Sequence, residues 1–272
     1  MNKELEVLCK QALEKEERST ILTNIYKLLE EMPNESTLIW NYPGFSILLI
    51  QEITMTYYQL NTPAFTPKES GRICTVLNIL QVLVPVNYKS FIDGQFVFFL
   101  YPFLNTSDRQ AHYEALRISS LSVLCTLFKS TDDNLLNRLK NTEIVPLTLK
   151  IMDTGTEIAK EIAIYIFLKL IRNKEGLDYV CQTFERFVAI SIVLNSMLIQ
   201  SLDLRSYHLL RSILECYVIL TSKENVRISF YGRKPEAFTN PRVIKLIEGD
   251  EECLKLYKEF DRLLMLVTAN RK

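Results

Sequence analysis

The stretch FLYPFLNTSDRQAHYEALRISSLSVLCTLFKSTDDNLLNRL, residues 99–139, decides the fold once it is set above IVPLTLKIMDTGTEIAKEIAIYIFLKLIRNKEGLDYV, residues 144–180. In both, a short apolar segment ends in a polar turn and a longer apolar segment follows. A charged loop then leads into a further apolar turn. Leu116, Leu121, Val123, Leu124, Leu127 and Phe128 in the first, and Ile162, Ala163, Ile166, Phe167 and Leu170 in the second, recur at spacings of three and four. Such spacings line one face of a helix with 3.6 residues per turn.

The pattern extends along the chain. Polar turns after the short helix fall at Asn61, Asn105, Asp153 and Ser201, separated by 44, 48 and 48 residues. Strict alternation bounded by NG or DG, the mark of hairpins, is absent. A helical repeat of about 40–47 residues is the armadillo or HEAT length, and each repeat must stack on the next to cover its apolar face. The expected fold is all-α, a right-handed armadillo superhelix of about six three-helix repeats. It is expected to form a single domain over residues 5–267. FVFFLYPFL (96–104) is a short middle helix in this reading, and the third helices build a concave wall suited to peptides. Pro and Gly between the periodic runs, Pro85 among them, are expected to start or stop helices. KPEAFTNP (234–241) is expected to be an exposed loop.

Composition excludes several classes of function. The longest uninterrupted apolar run is Phe96–Leu104, well short of the roughly 20 residues that cross a bilayer. The opening MNKELEVLCKQALEKEERS carries scattered charge and no apolar core of a signal peptide. No membrane partner is expected, and the expected location is cytoplasmic and nuclear. Lys plus Arg (32) balances Asp plus Glu (32), so no global field draws in nucleic acid or anionic lipid. The seven glycines are too scattered for a phosphate-cradling loop. Six widely spaced cysteines in apolar runs fit reduced core thiols.

No catalytic constellation emerges. His112 and His208 sit at helix starts without metal-ligand spacing, where a surface histidine is the better reading. Asp132, Asp133, Glu251 and Glu252 are charged-loop or helix-start residues that complement a helix dipole. Two segments carry more. Arg205, Arg211, Lys223, Arg227, Arg233 and Lys234, interleaved with Tyr207, Phe230 and Tyr231, could contact phosphates and stack bases of a single strand, or form a solvated face. In GLDYVCQTFERF (176–187), Phe184 and Phe187 stand a turn apart with Arg186 between and Tyr179 upstream. An exposed aromatic beside an arginine makes a shallow pocket for a flat side chain; aromatic packing at a repeat seam is the alternative. A cargo receptor for basic peptides needs ladders of asparagine and tryptophan, and the chain has one tryptophan, Trp40.

The stretches LIQEI (49–53), LYPFL (100–104), EALRISSLSV (114–123), TEIVPLTLKIMDTGTE (142–157) and GLDYVCQTFERF, in this order, resemble the Rcd family, named for "required for cell differentiation". That family is the armadillo-repeat subunit of the Ccr4-Not deadenylase complex. The resemblance implies a protein without catalytic activity or cofactor. It would dock on the Not scaffold and recruit messenger-RNA regulators through their short linear motifs, promoting deadenylation, decay and translational repression. Carried over by position, the family's tryptophan pocket falls on Tyr179, Phe184 and Arg186, with Phe184 in place of a tyrosine and so without its hydroxyl. The family's peptide groove falls on Ala115, Ser122 and Ile162, with Ala115 where relatives have tyrosine. WNYPGFSILLIQEI (40–53) matches the scaffold-binding WHSFGTIAALLQEI. Trp40 persists there, while Asn41, Pro43 and Ile47 replace His, Phe and Ala, and the proline fixes a different local backbone. A homodimer and single-stranded nucleic acid, the latter through Arg205, Arg211 and Arg227, stay open as further partners.

Overall fold

A computed structural model describes residues 2–14, 17–129, 138–139, 142–204 and 206–269. Asp132, Asp133 and Arg205 lie outside the described residues. All regular structure among those described is helical, and the chain divides into two compact units, Met1–Thr131 and Asp132–Lys272.

The first unit begins with α1 (Lys3–Leu13), capped by the Asn2 side chain, which accepts from the Glu4 amide at 2.9 Å. It buries Leu5, Cys9 and Ala12. Then come α2 (Arg18–Glu31), α3 (Ser36–Trp40) and α4 (Phe45–Thr56). Gly44, at φ +84°, turns the chain into α4, a conformation that L side chains with a Cβ resist. The long α5 (Pro67–Asp93) starts with Thr66 as cap and Pro67 in its first turn. Pro85 does not end it, contrary to expectation. Proline removes one amide and crowds the carbonyl four residues earlier, so the helix bends, with Asn87 at φ −118°, ψ 18°. The Asn87 side chain donates to the Leu83 carbonyl at 2.8 Å and supports the bend from within. A 3-10 turn (Phe96–Leu100) leads into the four-residue α6 (Tyr101–Leu104), and α7 (Ala111–Lys129) follows. FVFFLYPFL is therefore the short middle helix expected of it.

The second unit holds α8 (Ile144–Thr154), α9 (Glu157–Arg172), α10 (Lys174–Cys181), α11 (Phe184–Leu204), α12 (Tyr207–Thr221), α13 (Glu224–Gly232), α14 (Pro241–Glu248) and α15 (Glu251–Ala269). Thr156, Asn173, Ser206 and Asn240 cap α9, α10, α12 and α14 with their side-chain oxygens, as residues that accept from orphan amides should. Gly176 sets the α9 to α10 spacing: a Cβ there would stand 2.0 Å from the Leu170 carbonyl oxygen. The core of the last repeat is an aromatic cluster in which Tyr217 lies 5.6, 5.1 and 5.5 Å from Phe230, Phe238 and Phe260. Phe238 overturns the exposed-loop reading of KPEAFTNP, because Glu236–Thr239 forms a 3-10 turn that buries Ala237 and Phe238.

Four complete three-helix repeats are visible among the described residues. They are α3, α4 and the start of α5; the end of α5, α6 and α7; α10, α11 and α12; and α13, α14 and α15. Third helices begin at residues 67, 111, 157, 207 and 251, spaced 44, 46, 50 and 44 residues apart. This is the all-α armadillo architecture read from the repeat period. Of the expected turn positions, Asn61 and Asn105 lie in turns, whereas Asp153, in the last turn of α8, and Ser201 are helical. Ser201 is buried inside α11, its hydroxyl bonded to the Leu198 carbonyl at 2.6 Å, a local bond that lets serine continue a helix.

Candidate functional site

The residues matched to scaffold binding separate by burial. Trp40 is 7% exposed, its ring 5.0 Å from that of Phe96 and 6.2 Å from that of Phe91. It belongs to the core of the first unit and presents little surface. Asn41 and Pro43 are exposed, and Asn41 donates to the Thr37 carbonyl at 2.9 Å. Ile47 is 62% exposed on α4. Met55, farther along α4, and Tyr58, just past its end, are also exposed.

LIQEI owes its acidic residue to structure. Glu52 is buried and takes Arg18 of α2 at 2.8 Å on one oxygen and Arg72 of α5 on the other. Arg72 also reaches Glu69 at 3.0 Å. Arg117, within EALRISSLSV, is likewise buried, bonded to Glu114 at 2.6 Å and to the Thr106 hydroxyl at 3.0 Å. The Glu52 pairs tie α2, α4 and α5 together, while Arg117–Glu114 lies within α7.

Of the three groove residues, Ala115 and Ser122 lie on α7 of the first unit and Ile162 on α9 of the second. Ala115 is exposed, and Ser122 and Ile162 are half-buried. Ala115 and Ser122 are two turns apart and so share a side of α7.

GLDYVCQTFERF divides its aromatic residues between core and surface. Phe187 is buried, 5.1 Å from Phe230. Phe184 is 69% exposed. The Arg186 guanidinium lies 3.9 Å over the Tyr179 ring and donates to the Tyr179 carbonyl, so cation and ring are stacked before any partner arrives. Beside them a groove of about 570 Å³ runs between α11 and α13, with Phe184, Val188 and Ile192 on one side and Ser229, Phe230 and Arg233 on the other. Sequence reasoning named Phe184 and Phe187 in one segment and Phe230, Arg233 and Lys234 in another without joining them, because the two walls of the groove come from separate repeats.

The basic strip is largely neutralised. Arg211 meets Asp250 at 3.0 Å and Glu252 at 2.7 Å, and holds the Asp250 carboxyl well below the usual carboxylate range. Lys223 pairs with Asp178. Lys234 meets Asp261 at 2.6 Å and the Tyr257 hydroxyl at 3.0 Å. Phe230 is core. Arg227 and Arg233 remain as the strip's cations without an ion pair among the described residues.

No group of three His, Cys, Asp or Glu side chains among the described residues could hold a metal ion, and no disulfide joins the six cysteines. Among the described residues one helix, α11, is long and apolar enough by length and composition to cross a membrane. Ser191, Asn195, Ser196, Gln200 and Ser201 interrupt its apolar residues, which is why a search for unbroken runs passes over it. Phe187, Ile190, Leu194, Met197, Leu198 and Ser201 are buried and fasten it to its own unit.

A family model described as cell differentiation family, Rcd1-like, matches residues 8–264. Cell differentiation protein rcd1 of Schizosaccharomyces pombe is 34% identical over 240 residues, 88% of this chain and 85% of that protein. Protein CAF40 of Saccharomyces cerevisiae is 32% identical over 215 residues, 78% of this chain and 57% of that protein. Among solved structures, the crystal structure of an engineered protein superposes with a TM-score of 0.64 over 97% of both chains at 11% identity, a likeness of fold alone. With its repeats, its ordered motifs and a family match over nearly its whole length, the chain belongs to the Rcd1-like cell differentiation family.

Proposed function

We propose that the protein is a non-catalytic subunit of the Ccr4-Not deadenylase complex. In this role it docks on the Not scaffold and recruits messenger-RNA regulators, in the cytoplasm and nucleus, promoting deadenylation, decay and translational repression. Family membership over residues 8–264 is the observation that carries the reading. The accessible side chains at the matched positions support it: Asn41, Pro43 and Ile47 for the scaffold, Ala115 and Ser122 on one side of α7 for helical peptides, and exposed Phe184 beside the stacked Arg186–Tyr179 pair for an aromatic side chain. An exposed ring next to a groove with apolar walls is the kind of anchor point from which a short motif gains most of its affinity.

The test is affinity purification of the tagged chain from its native cells with identification of what accompanies it. Not scaffold and deadenylase are expected to co-purify. Ile47→Glu is expected to release both while leaving the helical circular dichroism unchanged, because its side chain is 62% exposed. A preparation containing neither would sink the reading.

A further inference from the structure

Helix α11 carries two apolar stripes, and only one of them is covered. The buried stripe is Phe187, Ile190, Leu194, Met197, Leu198 and Ser201. On the opposite side Glu185, Ala189, Ile192, Ser196, Ile199 and Asp203 succeed one another at intervals of 4, 3, 4, 3 and 4 residues. Ile192 is 63% and Ile199 42% exposed; Ala189 is exposed and Ser196 half-buried. From Phe187 to Leu202 the helix contains no charged residue at all. Outward faces of helices normally carry charge, and a contiguous uncharged apolar face marks a contact surface.

The spacing states what kind of partner fits. A 3-4 alternation is the seam of a coiled coil, in which knobs of one helix enter holes of another. The small residues Ala189 and Ser196 alternate with the large Ile192 and Ile199, so another helix can approach closely and interdigitate. The ends of the seam carry Glu185 and Asp203, both exposed and neither with an ion-pair partner among the described residues. They are 18 residues apart, or ~27 Å along the axis at 1.5 Å per residue. A second copy of the chain is a poor occupant. Two seams placed parallel bring Glu185 to Glu185 and Asp203 to Asp203, and placed antiparallel they bring Glu185 to Asp203 at both ends, so either way like charges meet.

We propose that the outward seam of α11 docks an amphipathic helix of another protein that presents apolar residues at heptad spacing and a basic residue at each end, to pair with Glu185 and Asp203. The N-terminal part of this seam adjoins the groove beside Phe184, which Ile192 also lines, whereas Ser196, Ile199 and Asp203 lie outside that groove and outside the residues matched to scaffold and peptide-groove binding.

The probe is a fluorescein-labelled helical peptide of about three heptads, with leucine at the seam positions and lysines at both ends; its control has glutamates at the ends. Anisotropy titrations with the full chain are expected to show binding of the lysine-ended peptide and at least about tenfold weaker binding of the control. I199K is expected to weaken the lysine-ended peptide at least about tenfold at an unchanged melting temperature. Because both carboxylates are exposed, E185K/D203K is expected to fold normally and to reverse the preference between the two peptides. Failure of the lysine-ended peptide to bind, indifference to I199K, or an unreversed preference overturns the proposal. So does a dimer in sedimentation equilibrium, or flotation with phosphatidylcholine–phosphatidylserine vesicles, that I199K abolishes, since the seam would then serve a second copy or a bilayer. Co-purification of the Not scaffold with I199K is expected to match the wild type, so the two readings fail separately.

Discussion

Replacing Glu52 by glutamine tests whether the acidic residue of LIQEI holds the first unit together. The carboxylate bridges Arg18 and Arg72 with only 7% of its side chain exposed, against 15% and 21% for the arginines. Glutamine keeps the shape but turns an NH2 group toward a guanidinium, donor against donor, and leaves two half-buried cations without their counter-charge. Removing one partner of a buried ion pair costs about 3–5 kcal/mol. The lower end applies here, because Arg72 keeps Glu69 at 3.0 Å and Arg18 keeps the Ala12 carbonyl at 2.8 Å. About 3 kcal/mol should lower the melting temperature by about 6–12 °C, read by circular dichroism alongside urea titration. Replacing all three charged residues by methionine should recover most of the loss, since well-packed apolar side chains can match a buried ion network. A Glu52→Gln variant within about 0.5 kcal/mol of wild type, or a triple variant less stable than the single one, would refute the account of Glu52 as an internal clamp.

Gly176→Ala should destabilise the second unit by about 1–3 kcal/mol, because the new methyl meets the Leu170 carbonyl oxygen at 2.0 Å and forces α9 and α10 apart. Gly232→Ala, with open space around its Cβ, should be neutral or slightly stabilising; chemical denaturation of the pair gives the comparison. Alkylation of the native chain with iodoacetamide at mildly alkaline pH should stop at two adducts, Cys74 and Cys125, which are half-exposed. Burial pushes the thiols of Cys9 and Cys181 up to about 12 and about 11, that of Cys253 to about 12, and that of Cys216 well above its usual value, so little thiolate forms. Mass spectrometry showing a third adduct at a comparable rate would contradict this packing.

Periodicity made the helices and their repeat visible before any coordinates, because each third helix must bury a broad face and does so at fixed spacings. The departures share one physical origin, which is tertiary context overriding a local signal. Pro85 bends α5 instead of ending it, and the Asn87 side chain supports the bend by donating to the Leu83 carbonyl. Ser201 stays helical because its hydroxyl bonds back to Leu198. Phe238 is drawn inward by Tyr217 and Phe260, burying a segment whose lysine, proline and asparagine suggested solvent. The candidate sites were less legible. Exposure separates Ile47 from Trp40 and Phe184 from Phe187, and a one-dimensional pattern of aromatic residues does not contain it.

The same contrast explains why family is easier to read than partner. Third helices are fastened on most sides: α9 buries nine of its 16 residues, whereas α11 buries six of 21. A truncation in α9 leaves a cavity worth about 2–5 kcal/mol, while an outward change on α11 stays within about 0.5 kcal/mol. Core positions are therefore held to a few residue types, and their spacing carries the fold in the sequence. The outer face of a second helix is constrained by whatever it touches and hardly by stability. When such a face stays uncharged from Phe187 to Leu202, folding within this unit does not require it, and the natural source of the constraint is contact with another molecule.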